Sequence, residues 1–452
     1  MHPIVLSVIN PIGRNAPRTQ SMRCTSRVHP SEESAISTLT RIVLVLLATI
    51  ICINPVLALN RIYTVENSGN AVGDGIANDT AALQSVLNAK QFIVLGANKT
   101  YRITSRLNIS YNNTGIIGDG TATILMGAGT GEFDNSSPAE SVRYGNNAIG
   151  IYAYGVTGPV IKGVKVRYET MVDDRAVKAI VFRNCRNFRI VGNDIANFSK
   201  ARGIVYVGNS RNGVIGGNEI HHSATNSATF GQITGIELDS DDLGSSRIDI
   251  IGNYIHDLTV GPDFLRAFNY QTDGINTTIA SYDLTIMNNV IKNVGEGIDT
   301  FSRYSLISGN QISNAYGYGI KLVHGASGNT ITNNVIRDSG FGGIILGGTI
   351  AAGRDTADNY IANNQILGVN TLRDHDSNST FGISIRRNGG TTYLSRRNRI
   401  LNNIIELRGT ALFGITAETD TGTLNEVRRN IISGWIRTAY ALDPTSVPFF
   451  EP

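Results

Sequence analysis

The chain of 452 residues carries 39 Lys and Arg against 36 Asp and Glu, a formal net charge of +3. So small a surplus excludes the electrostatic footprint of a nucleic-acid binder, while 41% hydrophobic residues suffice for a folded core. Gly (49) and Asn (45) are abundant and Pro (11) is scarce, which excludes a disordered Pro/Gly chain and points to many regularly placed turns.

The first predicted element is an unbroken apolar run from Ile42 to Ile53, preceded by Arg41 and followed by Val56, Leu57 and Ala58. Such a run is short for a bilayer span and right for a secretory signal, so residues 1–58 are expected to be a signal peptide cleaved after Ala58. Met22 is the start that would give it ordinary length; an uncleaved anchor is the alternative. Ile51 stands where a lipoprotein signal needs a small residue before Cys52. Of Cys24, Cys52 and Cys185 only the last outlasts that cleavage. No internal disulfide is then expected, which suits a bacterial protein, secreted or periplasmic, with no stable membrane insertion once the signal is gone. The sequons at Asn108 and Asn197 are what chance provides in a chain so rich in Asn.

A helix is predicted next. Asn78 or Asp79 serves as its N-cap, and "AALQSVLNA" follows with Leu83, Val86 and Leu87 on one face.

From Asn193 onward two phrases recur. One closes a short β-prone run with G/N-N-x-I/V, at Asn193, Asn218, Asn253, Asn289, Asn310, Asn334, Asn364, Asn403 and Asn430. The other is a Gly-Ile pair, at Gly203, Gly235, Gly274, Gly297, Gly319, Gly343, Gly382 and Gly414. The shortest spacings set a unit of two or three short strands with no room for a ten-residue helix. Units that cannot bury an apolar face alone must stack, and an all-β sandwich would not keep both phrases in register over so long a span. The expected fold is therefore all-β: a right-handed parallel β-helix in which Ile piles on Ile. Asn ladders from coil to coil, and the short N-terminal helix caps the first coil's apolar end. The expected divisions are the signal, a cap with first coils over 59–130, the β-helix over 131–440, and a tail over 441–452.

The stretch after the signal resembles the N-terminal module of the pectate-lyase-like superfamily, which includes glycoside hydrolase family 28-related proteins, alginate epimerases and phage tailspikes. The matching residues are Gly73, Asp74, Gly75, Asp79, Thr80, Ala81 and Gln84, with Asn78 where the family usually has an acid, and then "GIIGDG" from Gly115 to Gly120. The resemblance implies the right-handed parallel β-helix and export. It leaves the reaction open among lyases, hydrolases, epimerases and binders.

If the isoleucine of each Gly-Ile pair faces the core, the next residue faces out. In successive coils that slot reads Val205, Glu237, Asn276, Asp299, Lys321, Ile345, Ser384 and Thr416, and two residues on come Asp239, Phe301 and Arg386. With coils about 4.8 Å apart, Glu237, Asn276, Asp299 and Lys321 would form a polar row on one sheet face. A sugar groove is expected there. Glu237, Asp239, Asp273, Asp299 and Lys321 are the candidate catalytic groups, and Asn276, Tyr270, Phe301, Arg303, His324 and Arg386 the candidate substrate contacts. Glu237 and Asp299, two coils or about 9.6 Å apart, approach the gap of an inverting carboxylate pair. Lys321 beside Asp299 would hold it ionised. The alternative is an exposed sheet face with ordinary cross-strand charge pairs.

Loops beside these coils offer groove walls, with Phe264, Phe268 and Tyr270 placed to stack on sugars. Asp273 and Glu296 each precede a Gly-Ile pair and either reach the groove or cap a turn. No metal ligand set stands out and no cofactor is required; calcium is the ion that Asp239, Asp241 and Asp242 would take, unless they are simply solvated. Arg386, Arg387, Arg396 and Arg397 are expected as a basic patch for an anionic glycan or for solubility. Against the superfamily, "EGIDTF" keeps only the Gly and Asp of the epimerase phrase, and "TDG" at Asp273 echoes the first acid of family 28. The reading is an exported enzyme cleaving an extracellular polysaccharide by hydrolysis or β-elimination. The alternatives are a glycan-binding or surface-structural solenoid, a uronate epimerase, or an oligosaccharide-forming transferase.

Overall fold

Three long parallel sheets of 14, 13 and 12 strands run side by side, and from the third strand on each strand hydrogen-bonds to the strand three positions on in the chain. This is one chain winding through sheet 1, sheet 2 and sheet 3 in turn. The computed structural model describes residues 63–66, 70–129, 132–133, 148–170, 177–198, 203–225, 232–239, 244–260, 271–347, 354–369, 380–387, 393–408, 411–419, 421–435 and 437–452. The apolar run and its cleavage site, Tyr270, Phe264, Phe268, Asp241 and Asp242 lie outside the described residues. No helix among those described is long and apolar enough to cross a membrane.

Isoleucine stacks make the core. In sheet 1 the file Ile190, Ile215, Ile250, Ile286, Ile307, Ile331, Ile361 and Ile400 is in register through successive coils. Sheet 2 repeats the pattern with Ile195, Ile220, Ile255, Ile291, Ile312, Ile336, Ile366 and Ile405. Nearly all are fully buried, each contributing roughly 1.5–3 kcal/mol of apolar burial. A branched side chain that fits a pleated surface and stacks on its own kind is why Ile recurs there.

The G/N-N phrase marks the turn from sheet 1 to sheet 2, and its two letters do different work. The first residue is left-handed, as at Gly192, Gly252, Asn288, Asn333 and Asn402, which Gly and Asn tolerate best. The second builds the ladder. Asn289 Nδ2 donates to Ile250 O of the coil before at 2.9 Å and to Asn310 Oδ1 of the coil after at 2.9 Å. That same Oδ1 also accepts the Asn289 backbone N–H at 3.0 Å. The ladder runs unbroken from Asn193 to Asn430. A second Asn ladder, not anticipated from the sequence, links Asn329, Asn359, Asn398 and Asn425 between sheet 3 and sheet 1.

Helix α1, Thr80–Asn88, buries Leu83, Val86 and Leu87 and packs on the terminal strand of sheet 3, Leu107–Ile109. Gln84 ties the two by accepting the Asn108 N–H at 2.7 Å and donating to Asn108 O at 3.0 Å. Asp79 is the N-cap residue, but its carboxylate accepts the N–H groups of Val72 and Gly73, so it shapes the preceding turn and not the helix start. Strand pairing continues through the segment expected as a tail: Phe449–Glu451 pairs with Glu426–Arg428.

Candidate active site

The polar row exists, on sheet 3. Tyr206, Glu237, Asn276, Asp299, Lys321, Ile345, Ser384 and Thr416 pair one to the next across seven parallel strand contacts. One member differs from the expectation. Tyr206, not Val205, stands opposite Glu237. Val205 pairs with Ile236, so the first Gly-Ile phrase is one residue out of step with the next coil.

From Gly235 onward the glycine of each Gly-Ile pair has a steric cause. A Cβ on Gly274 would lie 2.6 Å from Ile291 Cγ2, and one on Gly297 would lie 2.6 Å from Ile312 Cγ2 and 2.4 Å from Gly319 O. Sheets 2 and 3 approach too closely there for any side chain. Glycine and isoleucine both turn toward the interior, so the residues on either side of the pair share the outer face. Asn276 Nδ2 accordingly reaches Asp273 Oδ2 three residues back, at 3.3 Å.

This geometry brings a second row alongside the first. Asp273 pairs with Glu296, and one carboxyl oxygen from each of Asp273, Glu296 and Asp299 lies within 4.8 Å of the other two. Lys321 Nζ donates to Glu296 Oε2 at 3.0 Å and to Asp299 Oδ2 at 3.2 Å, and Asn276 Nδ2 reaches Asp299 Oδ2 at 3.4 Å. Asp273 and Asp299 are 0% exposed, and Glu237, Asn276 and Glu296 are also buried. The sequence expectation of an exposed row is therefore corrected: the row lies outside the Ile core but is covered. Asp273 Oδ1, Asn276 Oδ1 and Asp299 Oδ1 are buried and accept no hydrogen bond among the described residues.

Electrostatics follow from that burial. Desolvation pushes the Asp273 carboxyl well above its usual range, and Glu296, Asp299 and Glu237 push the same way. Burial raises Glu296 to about 7 against the pull of Lys321. Asp299 is raised by burial and restrained by Lys321. Burial works against the Lys321 ammonium, but Asp299, Glu296 and Asp273 outweigh it and hold it charged. Four carboxyls share one cation, so they cannot all ionise in this medium. Asp273, which touches no cation among the described residues, keeps its proton most firmly, and Asp299 on the Lys321 ammonium gives its up most readily.

Glu296 is the member that the polar-row pattern missed, although its place before a Gly-Ile pair was visible. Asp239 accepts a hydrogen bond from Tyr206 Oη at 2.9 Å at the edge of the cluster. Phe301 and His324 stack edge to face, 4.4 Å between centroids, beyond Asp299 on the same side. Arg303 falls outside: its backbone bridges to Tyr282 and Ser327 on the turn after sheet 3. Arg386 lies farther along, over the Phe381 ring and beside Glu418. Three arginines of the expected basic patch are ion-paired, Arg386 with Glu418, Arg396 with Asp355 and Arg397 with Asp358, and the Arg387 backbone N–H donates to Glu418.

Residues 178–366 match the model of a family described as right handed beta helix region. No curated protein matches the sequence. Among solved structures, the Dettilon tailspike protein superposes with a TM-score of 0.60 at 17% identity, over 86% of this chain and 70% of that one. The hyperthermoactive exopolygalacturonase of Thermotoga maritima does so with 0.55 at 12% identity, over 83% and 92%. At such identities the likeness is one of fold.

Proposed function

From a right-handed parallel β-helix with the fold of the pectate-lyase-like superfamily, we propose an enzyme that hydrolyses an extracellular polysaccharide at the Asp273–Glu296–Asp299–Lys321 cluster. The observation that carries the reading is the unequal environment of carboxyls so close together. A proton-holding acid beside an ionised carboxylate is what glycosidic hydrolysis needs. Asp273 is the acid that protonates the departing sugar oxygen, a step that requires the buried row to open to substrate. Asp299, where Lys321 pulls against burial, acts on the anomeric side as nucleophile, the role that such a short separation from the acid suits. Glu296 and Lys321 position Asp299, and Phe301 and His324 offer a ring surface to the sugar.

Hydrolysis is favoured over β-elimination by the state of Lys321. A base must accept a proton, and an ammonium clasped by two carboxylates does not. The test is release of reducing ends from a panel of neutral and acidic glycans by the full chain. Asp273→Asn and Asp299→Asn are expected to lower kcat by about 100- to 10,000-fold, the usual reach of acid–base catalysis. Full turnover in Asp299→Asn would reject the assignment. An unsaturated, ultraviolet-absorbing product would replace hydrolysis by elimination, and retention of intact glycan by the wild-type chain would make the cluster a binding site.

A further inference from the structure

A second cluster lies on sheet 2, away from the acids. Glu219–Thr225 and Tyr254–Val260 are neighbouring strands, with His221 opposite His256. Along this sheet the chain bends at a file of left-handed residues, most of them inside the strands: Asn197, His222, Asp257, Asn293, Asn314 and Asp338. Asn and Asp suit that backbone.

We propose that His222, His256 and Asp257 form a binding site for a divalent transition-metal ion of the zinc type, with His221 beside it. Their ligand atoms lie within 4.8 Å of one another. Asp257 Oδ2 is 2.7 Å from His256 Nδ1 and 3.9 Å from His222 Nε2. Ligands at zinc distance on a tetrahedron stand roughly 3.3 Å apart, midway between those two values. Small side-chain rotations therefore suffice.

The surrounding contacts are those that hold metal ligands in place. His256 turns its other nitrogen, Nε2, to Glu219 Oε1 at 3.2 Å. The other oxygen of Asp257 accepts from Asn293 Nδ2 at 2.6 Å. His221 Nε2 meets Asp194 Oδ1 at 2.8 Å, which turns its Nδ1 toward His222 Nδ1. Arg167 pairs with Asp194, which leaves Glu219 and Asp257 as the acids a dication would balance. Imidazole with a single carboxylate favours zinc, nickel or copper over calcium. On binding, the ion takes the place of the proton shared by His256 Nδ1 and Asp257 Oδ2, and that proton goes to solvent. Spanning two coils, it would staple them.

The test is calorimetric titration of the full chain with Zn2+, with Co2+ as a spectroscopic probe and Ca2+ as competitor. One Zn2+ per chain is expected, with a rise in Tm and a visible ligand-field band for Co2+. The His222 side chain is 63% exposed, so His222→Ala leaves the fold intact and should weaken Zn2+ binding at least about 10-fold; Asn293→Ala should weaken it about 10- to 100-fold. Asp299→Asn should leave it unchanged. Absence of saturable binding, equal binding by His222→Ala, or displacement of Zn2+ by equimolar Ca2+ would each overturn the proposal.

Discussion

At the residue scale, the cluster on sheet 3 is a problem in proton placement. Glu296 titrates near 7 in the fold against an ordinary 4.5, because burial disfavours its charge. The folded chain thus binds this proton more tightly than the unfolded chain. The resulting stabilisation is complete below about pH 4.5 and is lost as pH rises toward 7, by an amount of order a few kcal/mol. Glu296→Gln should flatten the fall of Tm between pH 5 and 8; a wild-type slope retained in that variant would show that the carboxyl is not the titrating group. The Asp273 proton should set activity in turn, with kcat/KM falling on the alkaline side as that acid ionises. The sequence showed Glu237, Asn276, Asp299 and Lys321 as one row, since each follows a Gly-Ile pair. It did not show that Glu296 joins them, because three-residue spacing within a regular strand would put Glu296 and Asp299 on opposite faces.

At the element scale, the repeat phrases turn out to be steric and hydrogen-bonding devices. Glycine in the Gly-Ile pair is selected by contact, whereas glycine before a ladder Asn is selected by backbone angle. The two are separable. Gly297→Ala forces a Cβ onto Ile312 and the Gly319 carbonyl and should cost about 3 kcal/mol. Gly252 has a φ of +63° but open space around its Cβ position, so Gly252→Ala should cost only about 1 kcal/mol. Urea midpoints measure both, and equal losses would mean that close approach is not what excludes a side chain. The Asn ladder was readable because one residue type recurs at one turn. The second ladder was less so, since Ser305 takes the place of Asn before Asn329 and breaks the visible pattern.

At the scale of the whole molecule, stability is a sum over neighbouring coils, so an end is weaker than the middle. Helix α1 covers the first coil of sheet 3, and Leu83 is 0% exposed beneath it. Leu83→Asp should strip hydrogen-exchange protection from Leu107–Ile109 while Glu296–Thr300 stays protected; uniform loss along the chain would show instead that the coils unfold as one. By itself the sequence determined the winding, the Ile stacks, the first Asn ladder and the order of the polar row, because a solenoid converts spacing along the chain directly into neighbourhood in space. Only the tertiary structure decided that the row is covered, that Asp273 and Glu296 stand beside Asp299, that Lys321 is clasped and charged, and that His222, His256 and Asp257 converge on another wall. Those outcomes depend on how strands bend at a glycine and how sheets approach each other, distances that no periodicity in the letters encodes.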